Sequence, residues 1–372
     1  MKLGLIFSIN ISVADWDKLG LLDREKGIYQ KYLKDGKIDK VYWFTYGDAG
    51  GDHKWKLPDG IEVISMPALF NSKLGAFAYS FLMPFLKNRY FKDCDVLKTN
   101  QMRGAWAGLI AKLLSGRPLI LRTGYTWSLD IERRFGKSIV SFFVSRIEWV
   151  LCKSSNLIEV ATDAERDYIS KKYSLRKDKI SVIPNCVDTE IFKPLGVKKE
   201  QGSIIFVGRL SREKNLENLI AAIAKTPYRL DVYGDGPSKG KLLELSGRLG
   251  ARVEFKGVVK NAMLPEILNR YKLYILPSFY ENMPKALLEA MSCGLACIGS
   301  DVPGIRNLIK DGHSGALCKT DADDIRKTIN EIAQDNVKID FFGRNAREFV
   351  AQNYSLDKIA AKEFAECIRK VI

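Results

Sequence analysis

The sequence of 372 residues lacks a long apolar run, has only two histidines, and has seven cysteines without regular spacing. Because no run of 18 apolar residues occurs, we expect no membrane-spanning helix. The cysteines form neither a zinc-binding pattern nor an even disulfide framework, which is typical of a reducing, cytoplasmic compartment. The stretch Met1–Phe7 is too short for a signal peptide and is expected to form the first strand. Length and a hydrophobic fraction of 46% favour two globular domains.

Apolar strand patterns alternate with helical patterns along the chain. This alternation predicts an α/β fold with parallel sheets that are covered by helices on both faces. In the first half, the strand patterns lie at residues 3–9, 41–45, 63–66, 96–99, 119–122 and 157–161. The uncharged segment Leu74–Leu86 is only 13 residues long, and we expect it to be a core helix.

The segment Pro277–Gly294 carries two glutamates around a predicted helix start. The apolar run before it predicts a buried strand, so the order is strand, loop, helix. Pro284 suits the first helical position, and Gly294 suits the residue that follows a helix. Glu281 then lies on the loop and Glu289 inside the helix. A helix N-terminus binds anions such as phosphate. Carboxylates beside it suit sugar and ribose hydroxyls, so the layout fits a bound nucleotide sugar.

Two further strands in the same half end in glycine and charge. Ser203–Val207 is a predicted strand that leads into Gly208, Arg209 and Lys214, and these are followed by a helical pattern. Glycine lets a ligand approach the backbone, and the two cations suit a diphosphate. Leu230–Pro237 repeats the order of strand and glycine turn, with Gly234 in the turn. These strand ends indicate one crevice at the carboxyl edge of a parallel sheet.

The C-terminal half resembles the retaining GT-B glycosyltransferases of the group 1 family. The resemblance is specific from about residue 180 to 320, and the matching motifs are Ile183–Pro194, Val207–Asn215, Tyr233–Pro237, Glu281–Gly294 and Ser300–Gly312. It implies two Rossmann-like domains with an interdomain cleft. The implied boundaries are an N-terminal acceptor-side domain at 1–183, a linker at 184–200, a nucleotide-sugar domain at 201–354, and a last helix at 355–372 that packs back on the first domain.

The resemblance also implies residue roles. Arg209 and Lys214 would bind the donor diphosphate, Glu281 the donor sugar, and Glu289 the ribose hydroxyls. Glu281, Arg209 and Lys214 are therefore the predicted catalytic residues. The predicted donor-binding set is Gly208, Arg209, Lys214, Gly234, Glu281, Asn282, Met283, Pro284, Lys285 and Glu289.

The implied activity is transfer of a sugar from a nucleoside-diphosphate sugar to a saccharide or lipid-linked acceptor, with retention of the anomeric configuration. Synthesis of a cell-surface polysaccharide or glycolipid is the expected setting. We expect no cofactor, since the nucleotide sugar is a substrate. Three alternatives stay open on the same fold: a nucleotide-sugar epimerase, a phosphorylase, and a donor-binding pseudoenzyme.

The N-terminal half departs from the family pattern. The glycine pair that relatives carry after the first strand is missing, and Tyr125 stands where they often place a histidine. Asp15 and Asp17 follow the first strand and are candidates for the acceptor side, although their spacing also imitates a metal-binding Asp-x-Asp pair. Arg122, Tyr125 and Asp130 are further acceptor-side candidates. Asp93 and Asp95 have the same spacing. We expect no catalytic metal, because neither pair has the usual donor context.

Positive charge is concentrated in the first half of the chain. The net charge is +15, of which +9 falls at or before Pro194. No nucleic-acid motif accompanies this charge, so nucleic acid is not an expected partner. Between Arg133 and Lys153, cations alternate with large apolar residues, which is typical either of a helix on an anionic membrane or of an ordinary helix with one core face. A peripheral contact with the inner face of the membrane is the functional interpretation.

Overall fold

The computed structural model describes residues 1–47, 55–124 and 126–372, apart from the side chains of residues 134 and 135. The chain divides into two compact units. The first unit contains Met1–Pro184 together with Ile359–Ile372, and the second contains Asn185–Lys358.

The first unit is built on a parallel sheet of seven strands in the order β3-β2-β1-β4-β5-β6-β7. The strands are β1 Lys2–Ile6, β2 Lys40–Phe44, β3 Ile61–Ile64, β4 Val96–Thr99, β5 Leu119–Thr123, β6 Leu157–Val160 and β7 Ile180–Val182. The helices are α1 Val13–Lys18, α2 Leu22–Lys34, α3 Lys73–Leu86, α4 Asn88–Asp93, α5 Trp106–Ser115, α6 Trp127–Phe135, α7 Ile139–Ser154 and α8 Asp163–Tyr173.

The strands of this sheet are nearly continuous apolar runs because helices cover both faces. Leu3, Leu5, Val41 and Trp43 are fully buried on two neighbouring strands. The six strand patterns read from the sequence are confirmed as β1–β6, with ends that differ by at most three residues. The short strand β7 was not predicted.

The second unit holds a parallel sheet of six strands in the order β10-β9-β8-β11-β12-β13. The strands are β8 Ser203–Val207, β9 Arg229–Tyr233, β10 Val253–Gly257, β11 Leu273–Leu276, β12 Ala296–Ser300 and β13 Ala316–Cys318. The helices are α9 Leu216–Ile223, α10 Lys239–Leu249, α11 Leu264–Asn269, α12 Lys285–Ser292, α13 Pro303–Arg306, α14 Ala322–Ala333 and α15 Asn336–Tyr354. Each unit is therefore a doubly wound α/β sheet, as expected.

The end of the chain returns to the first unit. It contains α16 Leu356–Glu363, a π-helical turn at Phe364–Ile368, and α17 Arg369–Val371. Glu363 Oε1 lies 2.5 Å from Lys98 Nζ on β4, and the ring of Phe364 lies 6.1 Å from that of Tyr32 on α2. Lys98 also pairs with Glu159 on β6 at 2.9 Å, so a buried ion network joins the last helix to the sheet.

The expectation that Leu74–Leu86 is a core helix is wrong for half of its surface. Ala76, Tyr79 and Met83 on α3 do face the core, but Leu74 and Phe85 on its other side are 83% and 58% exposed. The apolar composition of this helix therefore does not reflect burial. No helix in the described part of the chain has the length and apolarity needed to cross a membrane. All seven cysteines are free thiols, and all but Cys186 are buried.

Candidate functional site

The candidate site lies at the point where the strand order of the second sheet reverses. β8 is flanked by β9 on one side and by β11 on the other. The chain therefore leaves these neighbouring strands in opposite directions, which opens a crevice at their carboxyl ends. The loops after β8 and β11 border this crevice, and they carry the predicted residues Arg209, Lys214 and Glu281.

The loop after β8 packs backbone to backbone against the loop after β9. Gly208 N donates to Tyr233 O at 3.0 Å, and Leu210 N donates to Asp235 O at 3.0 Å. Gly234 has φ +138°, and a Cβ atom there would lie 1.9 Å from Gly208 O. Gly234 is therefore required for contact between the loops, whatever its predicted role toward the donor. Arg209, between them in sequence, is exposed.

A short 3-10 turn positions Lys214. The turn spans Arg212–Lys214 and ends at Asn215, which has φ +56°. The Asn215 side chain donates to Pro277 O at 2.9 Å and to Thr320 O at 2.7 Å. Phe279 N also donates to Glu213 O at 2.9 Å. These bonds fix the lysine-bearing turn to the loop that follows β11.

Lys214 and Glu281 form a direct ion pair in this crevice. Lys214 Nζ lies 2.5 Å from Glu281 Oε1, and Ser278 Oγ donates to the same oxygen at 2.7 Å. The Glu281 side chain is only 1% exposed, whereas that of Lys214 is 17% exposed. The carboxylate is thus held rigidly by two donors, and the ammonium group remains accessible from solvent.

Helix α12 begins one residue later than predicted. Pro284 is the N-cap, with extended backbone at ψ 114°, and the helix starts at Lys285. The prediction that Pro284 occupies the first helical position is therefore wrong by one residue. A proline at the N-cap leaves every N–H group of the first turn in place. The prediction for Gly294 is confirmed, since it follows the helix with φ +74°.

Glu289 lies on the buried side of α12. It is 2% exposed, and its Oε1 accepts a hydrogen bond from Asn261 Nδ2 at 2.8 Å. A buried carboxylate needs such donors to offset the loss of water. Burial of the Tyr274 hydroxyl on β11 raises its pKa well above the ordinary value, and the nearby Cys297, Glu281 and Glu289 raise it further. This tyrosine therefore stays protonated.

Several residues that hold the site were missed from sequence. Gly304 on α13 packs under the loop, since a Cβ atom there would lie 2.3 Å from Glu281 O and 2.4 Å from Asn282 O. Asn185 Nδ2 donates to Met283 O at 2.7 Å. Gly304 and Asn185 lie inside motifs that matched the family. Unlike Ser278, they are distant from Glu281 in sequence. Their partners become visible only in the folded structure.

The described candidates in the first unit lie on three elements, α1, β5 and α6. Asp15 belongs to a capping box of α1, where its Oδ2 accepts from Ser12 N at 2.8 Å and from Ser12 Oγ at 2.6 Å. Arg122 on β5 pairs with the buried Glu159. Asp17 and Asp130 are half-buried on α1 and α6. Tyr125 lies outside the described residues.

The described residues, at 1–47, 55–124 and 126–372, contain no group of three or more His, Cys, Asp and Glu side chains arranged to hold a metal ion. The carboxylate of Asp15 is instead occupied by the cap of its own helix. The acceptor-side roles of the first-unit candidates stay predictions.

Two doubly wound parallel units, with cations and a carboxylate at the switch point of the second, define the two-domain Rossmann-like GT-B class of glycosyltransferases. The model of the family "Glycosyl transferases group 1" matches residues 187–349, and that of "Glycosyltransferase Family 4" matches residues 34–191. The chain is therefore a glycosyltransferase, and its residues 187–349 belong to group 1.

Individual relatives agree with this assignment. The chain is 28% identical over 298 residues to an alpha-maltose-1-phosphate synthase of Mycolicibacterium smegmatis, which covers 71% of this chain and 76% of the relative. It is 27% identical over 289 residues to an Escherichia coli UDP-Gal:alpha-D-GlcNAc-diphosphoundecaprenol alpha-1,3-galactosyltransferase, covering 71% and 72%. The crystal structure of Anabaena HepE in complex with UDP and glucose has the same fold, with a TM-score of 0.79, 20% identity, and coverage of 98% and 99%.

Proposed function

We propose that the chain transfers a sugar from a nucleoside-diphosphate sugar to a saccharide or lipid-linked acceptor, with retention of the anomeric configuration, in the synthesis of a polysaccharide or glycolipid. The observation that carries this proposal is the Lys214–Glu281 pair at the switch point, with 2.5 Å between Nζ and Oε1. A cation for the diphosphate and a carboxylate for the sugar lie side by side there.

The amino group of Lys214 has donors to spare for phosphate oxygens. An ammonium carries three N–H groups, and one of them satisfies Glu281. The other two would reach a diphosphate in the crevice, because the lysine side chain is partly exposed. In the transition state the leaving diphosphate gains negative charge, and fixed cations stabilise that charge more than they stabilise the bound donor. Arg209 would add a second cation from the same loop.

Glu281 would orient the donor sugar. Its Oε1 is fixed by Lys214 and Ser278, so the carboxylate needs little reorganisation when it accepts sugar hydroxyl groups. The start of α12, with Asn282, Met283, Pro284 and Lys285 before and at its first turn, would face the phosphates, and Glu289 would serve the ribose. Front-face displacement, in which the diphosphate accepts the proton of the acceptor, would retain the configuration without a covalent intermediate.

The names of the relatives suggest which donors and acceptors to test first. The E. coli relative is named for UDP-galactose and for an acceptor on undecaprenyl diphosphate. The Anabaena structure contains UDP and glucose. We therefore propose UDP-hexoses as first donors and polyprenyl-diphosphate sugars or soluble saccharides as first acceptors.

The first prediction is that Glu281→Ala lowers turnover by about 100-fold or more, since one fixed transition-state contact is lost. The measurement is release of nucleoside diphosphate from a panel of nucleotide sugars, with and without acceptors. Glu331→Ala on α14 is the matched control, because Glu331 is exposed. Product configuration is determined by NMR, and the assay is repeated in EDTA, where we expect full activity.

Four results would count against parts of this proposal. Wild-type turnover in Glu281→Ala would remove this residue from the reaction. An inverted product would overturn retention, and loss of activity in EDTA that a divalent ion restores would show a metal requirement. Isomerised donor without transfer would indicate an epimerase instead.

A further inference from the structure

The outer side of α3 is apolar although solvent covers it. Tyr79 and Met83 face the core from one side of this helix, whereas the apolar residues on its other side are exposed. The exposed set is Leu74, Phe77, Phe81, Leu82, Phe85 and Leu86, with exposed fractions from 42% to 83%. A helix that is apolar on all sides is normally buried in protein or in lipid.

The outer side of α7 is apolar in the same way. Its buried side holds Val144, Leu151 and Cys152 and also two polar residues, Ser141 and Glu148. Glu148 accepts hydrogen bonds from Tyr173 Oη at 2.5 Å and from Ser128 N at 3.1 Å. Its exposed side carries the cations Arg146 and Lys153 and seven large apolar residues, which are Ile139, Val140, Phe142, Phe143, Ile147, Trp149 and Val150. An ordinary surface helix places its polar residues outside, so α7 is built for a covering other than water.

α5 connects the two surfaces. It packs against both α3 and α7, so the three helices lie on one face of the sheet. Trp106 at the start of α5 stacks on Phe81 of α3, with ring centres 5.6 Å apart. Leu113 of α5 is itself 75% exposed. We call the exposed apolar residues of α3 and α7 the apolar face. An exposed apolar surface with so many large side chains marks a site of interaction.

The charges around the apolar face select the kind of partner. Glu148 is the only carboxylate within α3 and α7, both of which are fully described in backbone, and it is buried. The exposed charges within these two helices are positive, at Lys73, Arg146 and Lys153, and Lys137 just before α7 adds another exposed cation. Arg146 lies 5.0 Å from the ring centre of Phe142, so cation and apolar side chain are presented together. Anionic lipid matches this pattern of apolar centre and cationic rim.

We propose that the apolar face of α3 and α7 docks on the surface of an anionic lipid bilayer. Both helices would lie in the plane of the interface, with Leu and Phe side chains below the headgroups and Trp149 at headgroup level. The exposed cations would contact lipid phosphates. This docking extends the sequence expectation for the α7 region to a surface of two helices, and it does not depend on the proposed reaction.

The experiment is sedimentation of the full chain with two kinds of vesicle, pure phosphatidylcholine and an equimolar mixture of phosphatidylcholine and phosphatidylglycerol. We expect capture by the anionic vesicles at low salt and release at high salt, since the Debye length shortens. Serine substitution of Leu74, Phe85, Ile139 and Phe143 together should weaken partitioning by about tenfold or more. Glutamine substitution of Lys73, Lys137 and Arg146 should weaken it by about fivefold per cation.

Matched controls lie in the second unit. Val337→Ser removes an apolar side chain that is 81% exposed, and glutamine at Lys225, Lys241 and Lys327 removes three exposed cations. We expect both controls to bind vesicles as the wild type does. Thermal unfolding by circular dichroism should be unchanged in all variants. A wild-type chain that ignores anionic vesicles at low salt would overturn the proposal, as would equal losses in the controls. Concentration-dependent self-association that only the serine variant abolishes, without vesicle binding, would assign the face to a second copy of the chain.

Discussion

At the scale of single residues, the candidate site depends on places where a side chain is absent. The loop that carries Glu281 rests on Gly304, where a Cβ atom would lie 2.3 Å from a backbone oxygen. Gly234 plays the same part between the loops after β8 and β9, where the clash would be with Gly208 O. Because backbone atoms cannot move aside as a flexible side chain does, the position of Glu281 is coupled to these glycines.

We therefore predict that Gly304→Ala shifts the Glu281 loop, lowers donor affinity, and costs about 1–3 kcal/mol of unfolding free energy. Gly247→Ala is the matched control, because no atom lies within 4 Å of its Cβ position in the last turn of α10. That change should stabilise the chain by about 0.5–1 kcal/mol through helix propensity. Urea unfolding and calorimetric titration with the nucleoside diphosphate measure both effects. Equal behaviour of the two variants would contradict this coupling.

At the scale of helices and strands, the sequence predicted what local patterns determine. β1–β6 were predictable because strands buried on both faces are apolar runs, whereas β7 has only three residues. One crevice for Lys214 and Glu281 was predictable, since parallel strands end at one edge. The contacts of Gly304 and Asn185 were not predictable, because nothing in their own segments indicates which distant residue they contact.

α3 shows a second kind of limit. Its apolar composition was correctly read as a helix but wrongly as core, since composition does not tell whether a second side of the helix is covered. Asp15 shows a third limit. Its capping box with Ser12 was not predicted, although a serine three residues before an acidic residue is a local signature of a helix start. Its acceptor-side role stays a prediction.

The ion network of the last helix makes a prediction at this scale. Glu363 of α16 and Lys98 of β4 are 1% and 2% exposed, and Glu159 is fully buried beside them. Glu363→Ala leaves a buried positive charge in excess, so it should lower the free energy of unfolding by about 3–5 kcal/mol. Asp178→Asn removes an exposed partner of Arg176 and should cost at most about 1 kcal/mol. Denaturant titrations of both variants check the difference, and a small loss in Glu363→Ala would show that the network does not anchor the helix.

At the scale of the whole molecule, the two units differ in their match to the family, in their exposed apolar residues and in their charge. The group 1 model matches residues 187–349, within the unit that holds Lys214, Glu281 and Glu289. The first unit lacks the glycine pair and the histidine of many relatives, and it carries the apolar face and the larger share of the net charge. We infer that the second unit binds the donor as other members of the family do. We infer also that the first unit determines the choice of acceptor and where in the cell the chain is bound.

The most direct measurement is calorimetric titration of the full chain with UDP, GDP, ADP and TDP, followed by titration of Lys214→Ala with the diphosphate that binds. A charge-assisted hydrogen bond contributes about 1.5–3 kcal/mol, so the variant should bind about tenfold to 100-fold more weakly. Lys241→Ala, which removes a side chain that is 75% exposed on α10, should bind as the wild type does. Unchanged affinity in Lys214→Ala would contradict the central claim that the crevice between β8 and β11 holds the donor diphosphate.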